Sequence, residues 1–315
     1  MSTLWHIKNW LRVGKNISWK LNFHTLFGFL YLYWPNNFFY RESLRKHEIV
    51  LSYIKKELYY VINEYQKINE IDGSVVSPSR NIWLLWWQGE ANMPPLVKAC
   101  VNSTCKNANG AKVHLVTKDN YSSYIDIPSY IFEKREKGYI SFAQLSDIIR
   151  YMLLEKYGGL WLDATIYTGY PIPSEYFDYN YFIWHTEQAK TCFVQQDDYH
   201  GFIVGSKPHE KLVSFVKEMF LEYWKTHDTL VDYLMVDYLI YIAKQSFPDI
   251  RREIDSLPKM SKRIYELKEM LDQPYDKNQF EELIHACIFS KLDWHRKYKE
   301  TSHGRDTLFS VLIEE

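Results

Sequence analysis

Three ionisable side chains in one short stretch of the chain could form a polar binding site. Asp147 and Arg150 are three residues apart on a predicted helix, so they can project toward the same side. Asp163 lies in the predicted strand Leu160–Tyr167, where most neighbouring side chains are large and apolar. A carboxylate there needs a cation or hydrogen-bond donors to offset its burial. An Asp and an Arg on a helix beside a carboxylate at a strand end would form a compact polar site.

Each of these residues also has a plainer interpretation. Asp147 and Arg150 could form a solvent-exposed ion pair, which contributes only about 0.3–0.5 kcal/mol. Asp163 could be a carboxylate at a turn or at a sheet edge, although its apolar neighbours make an edge position less favourable. The elements that carry the three residues decide between the interpretations.

Local signals predict those elements. The run SFAQ, which begins at Ser141, matches a capping box and predicts a helix to about Lys156. Gly158 and Gly159 then end the helix and lead into the strand. Positions 163 and 165 of that strand would point to one face of the sheet. Ligand sites in open α/β sheets lie at the carboxyl ends of strands, and Asp163 is in the latter half of its strand.

The rest of the chain alternates between predicted strands and helices. The fully apolar run Ile82–Trp87 is typical of a strand in a buried parallel sheet. The alternation predicts an α/β/α sandwich with a largely parallel sheet. The other predicted strands are Lys112–Thr117, Tyr181–His185 and Phe202–Gly205, and further helices are predicted from Pro95 toward Cys100 and around His209–Lys225, Leu230–Lys244 and Lys259–Leu271.

A helical, basic segment precedes this alternation. An apolar stripe predicts a helix over His47–Glu70, and the Gly, Pro and Ser residues of Ile71–Arg80 predict a linker. We therefore expect a helical segment over residues 1–78 and an α/β domain over residues 79–315. Before residue 47, Glu42 is the only acid among seven lysines and arginines.

The basic segment is also rich in apolar and aromatic residues, including the run Phe29–Trp34. Its apolar stretches are shorter than the ~20 residues that span a bilayer. This pattern favours a segment that lies on an anionic membrane surface. The alternative is a basic helix that packs on the rest of the fold.

Composition narrows the functional classes. A net charge of −1 over 315 residues gives no reason to expect nucleic acid binding. The four cysteines include no C-x-x-C pair, so a structural zinc site is not expected. The N-terminus lacks the pattern of a signal peptide, so we expect a cytoplasmic location, peripheral to the inner face of the cell membrane. Aromatic residues make up 17% of the chain, which suits sugar stacking but also large cores.

The run S-D-I-I-R-Y-x-L-L-x-K-Y-G-G-L-W-L-D-A-T, from Ser146 to Thr165, resembles a known enzyme motif. It is similar to the S-D-x-x-R-Y and D-x-D motifs of nucleotide-sugar glycosyltransferases, among them mannosyltransferase-like enzymes and the clostridial glucosylating toxins. The capsular polysaccharide synthesis group matches best. The strand IWLLWWQG, with Trp87 and Gly89, resembles the opening strand of that superfamily, and the resemblance covers roughly Asn81–Pro173.

The resemblance implies a GT-A-type fold and roles for individual residues. Trp87 would stack near the nucleotide base. Ser146, Asp147 and Arg150 would hold the sugar and ribose–phosphate region of the donor, and Lys291 could contact its diphosphate. The resemblance implies these roles, whereas the spacing of the residues alone does not.

The resemblance also implies a Mn²⁺ or Mg²⁺ ion on the donor diphosphate, bound or water-bridged by Asp163. Thr165 stands where the D-x-D motif has its second Asp. A hydroxyl can still hold a metal-bound water, and Mg²⁺ often uses only one or two carboxylates. His303 is the candidate third ligand, and its alternative is an exposed loop histidine.

The function implied is that of a retaining hexosyltransferase in capsule synthesis. It would use UDP-galactose, or else UDP-glucose, and a lipid-linked saccharide acceptor. Two alternatives are a nucleotide-sugar-binding protein with weak catalysis and a glycosyltransferase that acts on another surface glycan. A metal-dependent phosphoesterase usually needs several clustered carboxylates or histidines, whereas this motif has one carboxylate. A membrane scaffold would not explain the Ser146, Asp147, Arg150 and Asp163 set.

Overall fold

The computed structural model describes residues 3–68 and 79–314, so most of the predicted linker Ile71–Arg80 lies outside the described residues. The helices are α1 (Thr3–Asn16), α2 (Trp19–Tyr31), α3 (Asn37–Glu57), α4 (Tyr59–Lys67), α5 (Pro95–Lys106), α6 (Ser129–Glu136), α7 (Phe142–Tyr157), α8 (Lys211–Thr226), α9 (Met235–Ser246), α10 (Pro248–Ser256), α11 (Glu266–Met270), α12 (Lys277–Ala286) and α13 (Leu308–Glu314). The strands are β1 (Asn81–Leu85), β2 (Lys112–Val116), β3 (Gly159–Leu162), β4 (Ile166–Thr168), β5 (Tyr181–His185), β6 (Tyr199–Ser206), β7 (Phe289–Lys291), β8 (Thr301–Ser302) and β9 (Arg305–Asp306).

The central sheet has five strands in the order β2-β1-β3-β6-β5. β1 pairs in parallel with β2 and β3, while β6 is antiparallel to both β3 and β5. Four of its strands therefore run in the same direction. The predicted α/β fold with a largely parallel sheet is confirmed.

The order of the first three strands creates a cleft. The chain goes from β1 through α5 to β2 on one side, then through α7 to β3 on the other side of β1. Because such crossovers are right-handed, α5 and α7 cover opposite faces of the sheet. The switch in direction opens a crevice at the carboxyl ends of β1 and β3, where ligands bind in open α/β sheets.

The residues predicted to begin and end α7 do so in the structure. The Ser141 hydroxyl caps the helix by accepting a hydrogen bond from the Gln144 amide at 3.1 Å. Gly159 has a φ of +100°, and a Cβ at this position would lie 2.4 Å from the carbonyl oxygen of Asn81. Glycine is therefore required where α7 turns into β3.

The single predicted strand Leu160–Tyr167 is wrong. β3 ends at Leu162, residues 163–165 form a turn, and β4 leaves the central sheet to pair with β7. The amide of Ile166 closes the turn by donating to the Asp163 carbonyl at 2.8 Å. Asp163 and Thr165 therefore do not share a strand face. Burial of both short strands makes the apolar run continuous, so periodicity alone does not reveal the break.

Other predicted boundaries also differ. The predicted helix His47–Glu70 is divided at Leu58 into α3 and α4, and α9 begins at Met235 instead of near Leu230. The segment predicted as a helix over Lys259–Leu271 contains a short 3-10 turn followed by α11.

The N-terminal helices share the hydrophobic core of the α/β sheet. Val13, Leu21, Val50 and Ile54 belong to the same buried cluster as Trp161. The Arg12 guanidinium also donates to the Gly138 carbonyl at 2.9 Å. The proposed boundary at residue 78 therefore does not divide the core. Among the described residues, no helix has the length and apolar character needed to cross a bilayer.

Candidate functional site

A cavity of about 860 Å³ lies at the carboxyl ends of β1 and β3, where the strand order switches. Residues far apart in the sequence line it. Of the residues predicted to form the site, the cavity lining includes Trp87, Ser146, Asp147, Arg150, Asp163, Thr165 and Lys291.

Arg150 is the centre of the site. Its Nη2 lies 3.0 Å from Asp163 Oδ1, and its Nη1 lies 3.3 Å from Asp147 Oδ1. The guanidinium carbon is 5.0 Å from the centre of the Trp161 ring. Arg150 is only 5% exposed, so the interpretation of Asp147 and Arg150 as a surface ion pair is wrong. Burial alone would lower the pKa of Arg150, but the two carboxylates hold it above its ordinary value.

Asp163 accepts hydrogen bonds from three donors. Lys291 Nζ lies 2.6 Å from Oδ2, while Arg150 Nη2 and the Trp161 indole nitrogen each lie 3.0 Å from Oδ1. Burial would raise the pKa of Asp163, but the charges of Lys291 and Arg150 keep it below its ordinary value. Asp163 is thus an ionised carboxylate that fixes the position of two cations.

Two other acids line the same cavity, and unlike Asp163 both have a raised pKa. Burial raises the pKa of Asp147 to about 7, against the effect of Arg150. Burial, together with the charge of Asp147, raises the pKa of Asp237 to about 8. Asp232, five residues before Asp237, does not line the cavity and pairs with Lys46 at 2.8 Å. Of these two acids, Asp237 is therefore the one that lines the cavity.

Replacing Asp237 by asparagine should change how stability depends on pH. The folded protein holds a proton on Asp237 up to about pH 8, whereas the unfolded chain loses it near pH 4. The folded state binds more protons within this window, so wild-type stability falls as the pH rises across it. Asparagine cannot ionise, so the melting temperature of Asp237→Asn should exceed that of the wild type by more at pH 8 than at pH 5. Thermal melts at both pH values, with the exposed cavity residue Asp293→Asn as control, check this; a difference independent of pH would contradict it.

An aromatic wall also borders the cavity. Trp87 packs with its ring centre 5.3 Å from that of Tyr121, which holds it at the end of β1. Trp86 meets Trp294 edge to face at 5.4 Å, and both line the cavity. Sequence reasoning identified Trp87 but missed Trp294, which follows β7 and reaches the wall only through the tertiary fold.

The donor set around Asp163 does not fit a conventional divalent metal site. Both carboxylate oxygens already accept bonds from cationic or N–H donors, and the ammonium group of Lys291 lies where a metal would bind Oδ2. Within residues 3–68 and 79–314, no three His, Cys, Asp or Glu side chains are grouped so that they could hold a metal ion. Thr165 lies in the turn and adds only a hydroxyl. The proposed metal ligands Asp163 and Thr165 thus gain no support from this arrangement.

His303 lies elsewhere. It is an exposed residue at the turn between β8 and β9, with a φ of +51°, and it is not part of the cavity lining. The alternative of an exposed loop histidine describes this position. Asp306, in the same hairpin, is exposed as well.

Comparisons with known proteins agree with the motif resemblance. The family model described as capsular polysaccharide synthesis protein matches residues 33–312. The O-glycosyltransferase braB of Annulohypoxylon truncatum is 31% identical over 98 residues, which are 28% of this chain and 23% of the relative. The chain thus matches about a quarter of the length of that curated relative.

A solved structure, PaToxG Glycosyltransferase, aligns with a TM-score of 0.40 and 13% identity, over 76% of this chain and 95% of that one. The family match is far more extensive than the match to braB, and it includes α3 together with the whole central sheet and the cavity. This chain belongs to the capsular polysaccharide synthesis protein family.

Proposed function

We propose that the protein is a glycosyltransferase that moves a hexose from a UDP-sugar to a saccharide acceptor in capsule synthesis. The observation that carries the proposal is the partly buried cluster of Arg150, Asp163 and Lys291 in a cavity at the switch point of the sheet. Arg150 and Asp163 of this cluster are also motif residues, and the family match includes all three members.

The cavity has the groups that a nucleoside diphosphate sugar needs. Trp87 offers an aromatic face for the base, while Lys291 and Arg150 offer cations for the diphosphate. Asp147 and Ser146 also line the cavity and can form hydrogen bonds with sugar hydroxyls. Asp163 holds both cations in place before the donor arrives, so little reorganisation is required.

The proposed reaction breaks the bond between the anomeric carbon and the β-phosphate oxygen, and the oxygen of an acceptor hydroxyl forms the new bond to that carbon. The hydroxyl proton is released to the departing phosphate or to solvent. Negative charge grows on the departing UDP, and stabilising this charge is the main electrostatic demand. Lys291 and Arg150 meet it with positive charge inside a partly buried site. Retention of the α configuration is proposed from the motif resemblance.

The motif resemblance implies dependence on Mn²⁺ or Mg²⁺. The arrangement of the site supports a different source of positive charge, because the ammonium group of Lys291 already neutralises Asp163. No step of the proposed reaction requires a metal.

We propose a lipid-linked saccharide at the cytoplasmic leaflet as the acceptor. Phe193, Gln195 and Asp197 form a polar and aromatic wall of the cavity next to the N-terminal helices. This wall suits a saccharide, which needs both hydrogen bonds and an apolar surface for stacking. A different surface glycan is the alternative acceptor.

A donor screen tests the proposal. UDP release is measured with UDP-galactose first and UDP-glucose second, each with Mn²⁺ and with a chelator, and calorimetry measures binding of UDP. We expect one UDP-sugar to be bound and turned over by the wild type, while Asp163→Ala releases UDP at least about a hundredfold more slowly. Binding of UDP-sugars with no turnover of any donor would instead support the nucleotide-sugar-binding alternative.

A further inference from the structure

The N-terminal helices present an extensive apolar surface to solvent. More than half of the exposed large hydrophobic side chains of the described residues lie between residues 4 and 38. On α2, Trp19, Phe23 and Leu26 recur at helical spacing and are 51–57% exposed. The opposite face of α2, with Leu21 and Gly28, is buried against the protein. A contiguous exposed apolar surface of this kind marks an interaction site.

The charges on this surface all have the same sign. Lys8, Lys15, Lys20 and Arg41 are exposed. Glu42, the single acid of residues 3–46, is only 3% exposed and accepts a hydrogen bond from His24 at 2.7 Å. Because this acid is buried, the exposed ionised side chains of residues 4–46 are all basic. Anionic lipid attracts such residues with about 1 kcal/mol for each Lys or Arg near the surface.

The same helices hold one wall of the cavity. Tyr31 donates a hydrogen bond to the Lys190 carbonyl at 3.3 Å, and Tyr40 donates to Gln196 Oε1 at 3.1 Å. The loop they hold, residues 187–198, supplies Phe193 and Asp197 to the cavity lining. One loop therefore joins the apolar, basic surface to the proposed acceptor side of the site.

We propose that the outer faces of α1 and α2, with the first turns of α3, form a docking face for an anionic lipid bilayer. Aromatic side chains such as Trp19 and Phe23 insert at the level of the headgroups, and the basic residues bind the anionic headgroups. Docking places the loop 187–198 beside the bilayer, so an acceptor anchored there reaches the cavity without leaving the membrane. Only this last clause rests on the proposed function.

Vesicle co-sedimentation of the full chain tests the docking face. The vesicles contain phosphatidylcholine alone or phosphatidylcholine with phosphatidylglycerol. We expect the wild type to bind only the vesicles that contain phosphatidylglycerol, and added salt should weaken this binding. Binding should be at least tenfold weaker in two variants. The first is the double variant Phe23→Glu/Leu26→Glu, and the second is the triple variant Lys8→Glu/Lys15→Glu/Lys20→Glu. The matched controls are Tyr170→Glu and Lys277→Glu, an exposed aromatic residue and an exposed lysine outside the face, which should bind as the wild type does.

Other outcomes would overturn the proposal. Equal binding of the face variants and the wild type would do so, provided that thermal melts show folded proteins. So would a wild type that fails to bind vesicles but forms a dimer in light scattering that the face variants lose, because the occupant would then be a second copy. UDP release in solution, measured on the same variants, keeps the two proposals apart: lost docking with normal UDP release would leave the glycosyltransferase proposal intact.

Discussion

Replacing Asp163 by alanine should lower the turnover of the UDP-sugar by roughly a hundredfold to a thousandfold, the range found when one preorganised electrostatic group is removed. The reason is the position of its carboxylate, which holds Lys291 at 2.6 Å and Arg150 at 3.0 Å. Without it, Lys291 loses this carboxylate partner and Arg150 keeps Asp147 alone, so the two positive groups repel each other and move apart. They would no longer be aimed at the departing diphosphate.

Two further variants separate this effect from unfolding. Asp163→Asn keeps the size and one acceptor oxygen but loses the charge, so its turnover should fall between those of the wild type and the alanine variant. Asp293→Ala removes another acid of the cavity lining and should change the rate little. Among the described contacts, the Asp293 carboxylate accepts a hydrogen bond only from the nearby His295 amide. Steady-state rates are compared with melting temperatures for all three. Near-normal turnover by a folded Asp163→Ala protein would refute the role given to this carboxylate.

Replacing Lys291 by methionine should also lower turnover strongly, by about tenfold to a hundredfold. Methionine keeps much of the length and removes the ammonium group, so the diphosphate loses its nearest cation. The affinity for UDP should fall with it, and Lys291→Arg should restore part of both. Lys268→Met, which removes another lysine of the cavity lining, is the matched control and should have a smaller effect.

A chelator distinguishes this lysine from a metal. If the chain itself supplies the positive charge, UDP affinity measured by calorimetry should be about the same with EDTA as with Mn²⁺, and the wild-type rate should change little. UDP binding that requires Mn²⁺ would contradict this account. Lys291 would then be an ion-pair partner of Asp163 that a metal ion displaces. Because calorimetry measures UDP binding directly, this result does not depend on catalysis.

Much of the site followed from local rules. The capping serine at position 141 and the glycine pair at 158 and 159 set the ends of α7, because helix ends depend on neighbouring residues. The spacing of Asp147 and Arg150 placed both on one side of that helix. The family motif then predicted which of these residues meet in the cavity, and the structure places them there.

Short-range patterns failed where pairing partners are distant. The turn at Asp163 was hidden because β3 and β4 are both buried, so the apolar run continues across the break. The antiparallel direction of β6 also depends on how the chain returns to the sheet, and no local pattern encodes that. His303 was the candidate third ligand of the metal implied by the resemblance, and its hairpin lies outside the cavity.

The amino-acid sequence by itself thus determined the class of fold, the helix that carries Asp147 and Arg150, and the family. The tertiary structure decided the electrostatics. It brought Lys291 to Asp163 across 128 residues, and it buried Glu42 so that the N-terminal surface is basic. It also turned Asp237 and not Asp232 toward the site. The physical reason is that propensity and capping act between neighbours, whereas burial and ion pairing depend on which distant segments pack together.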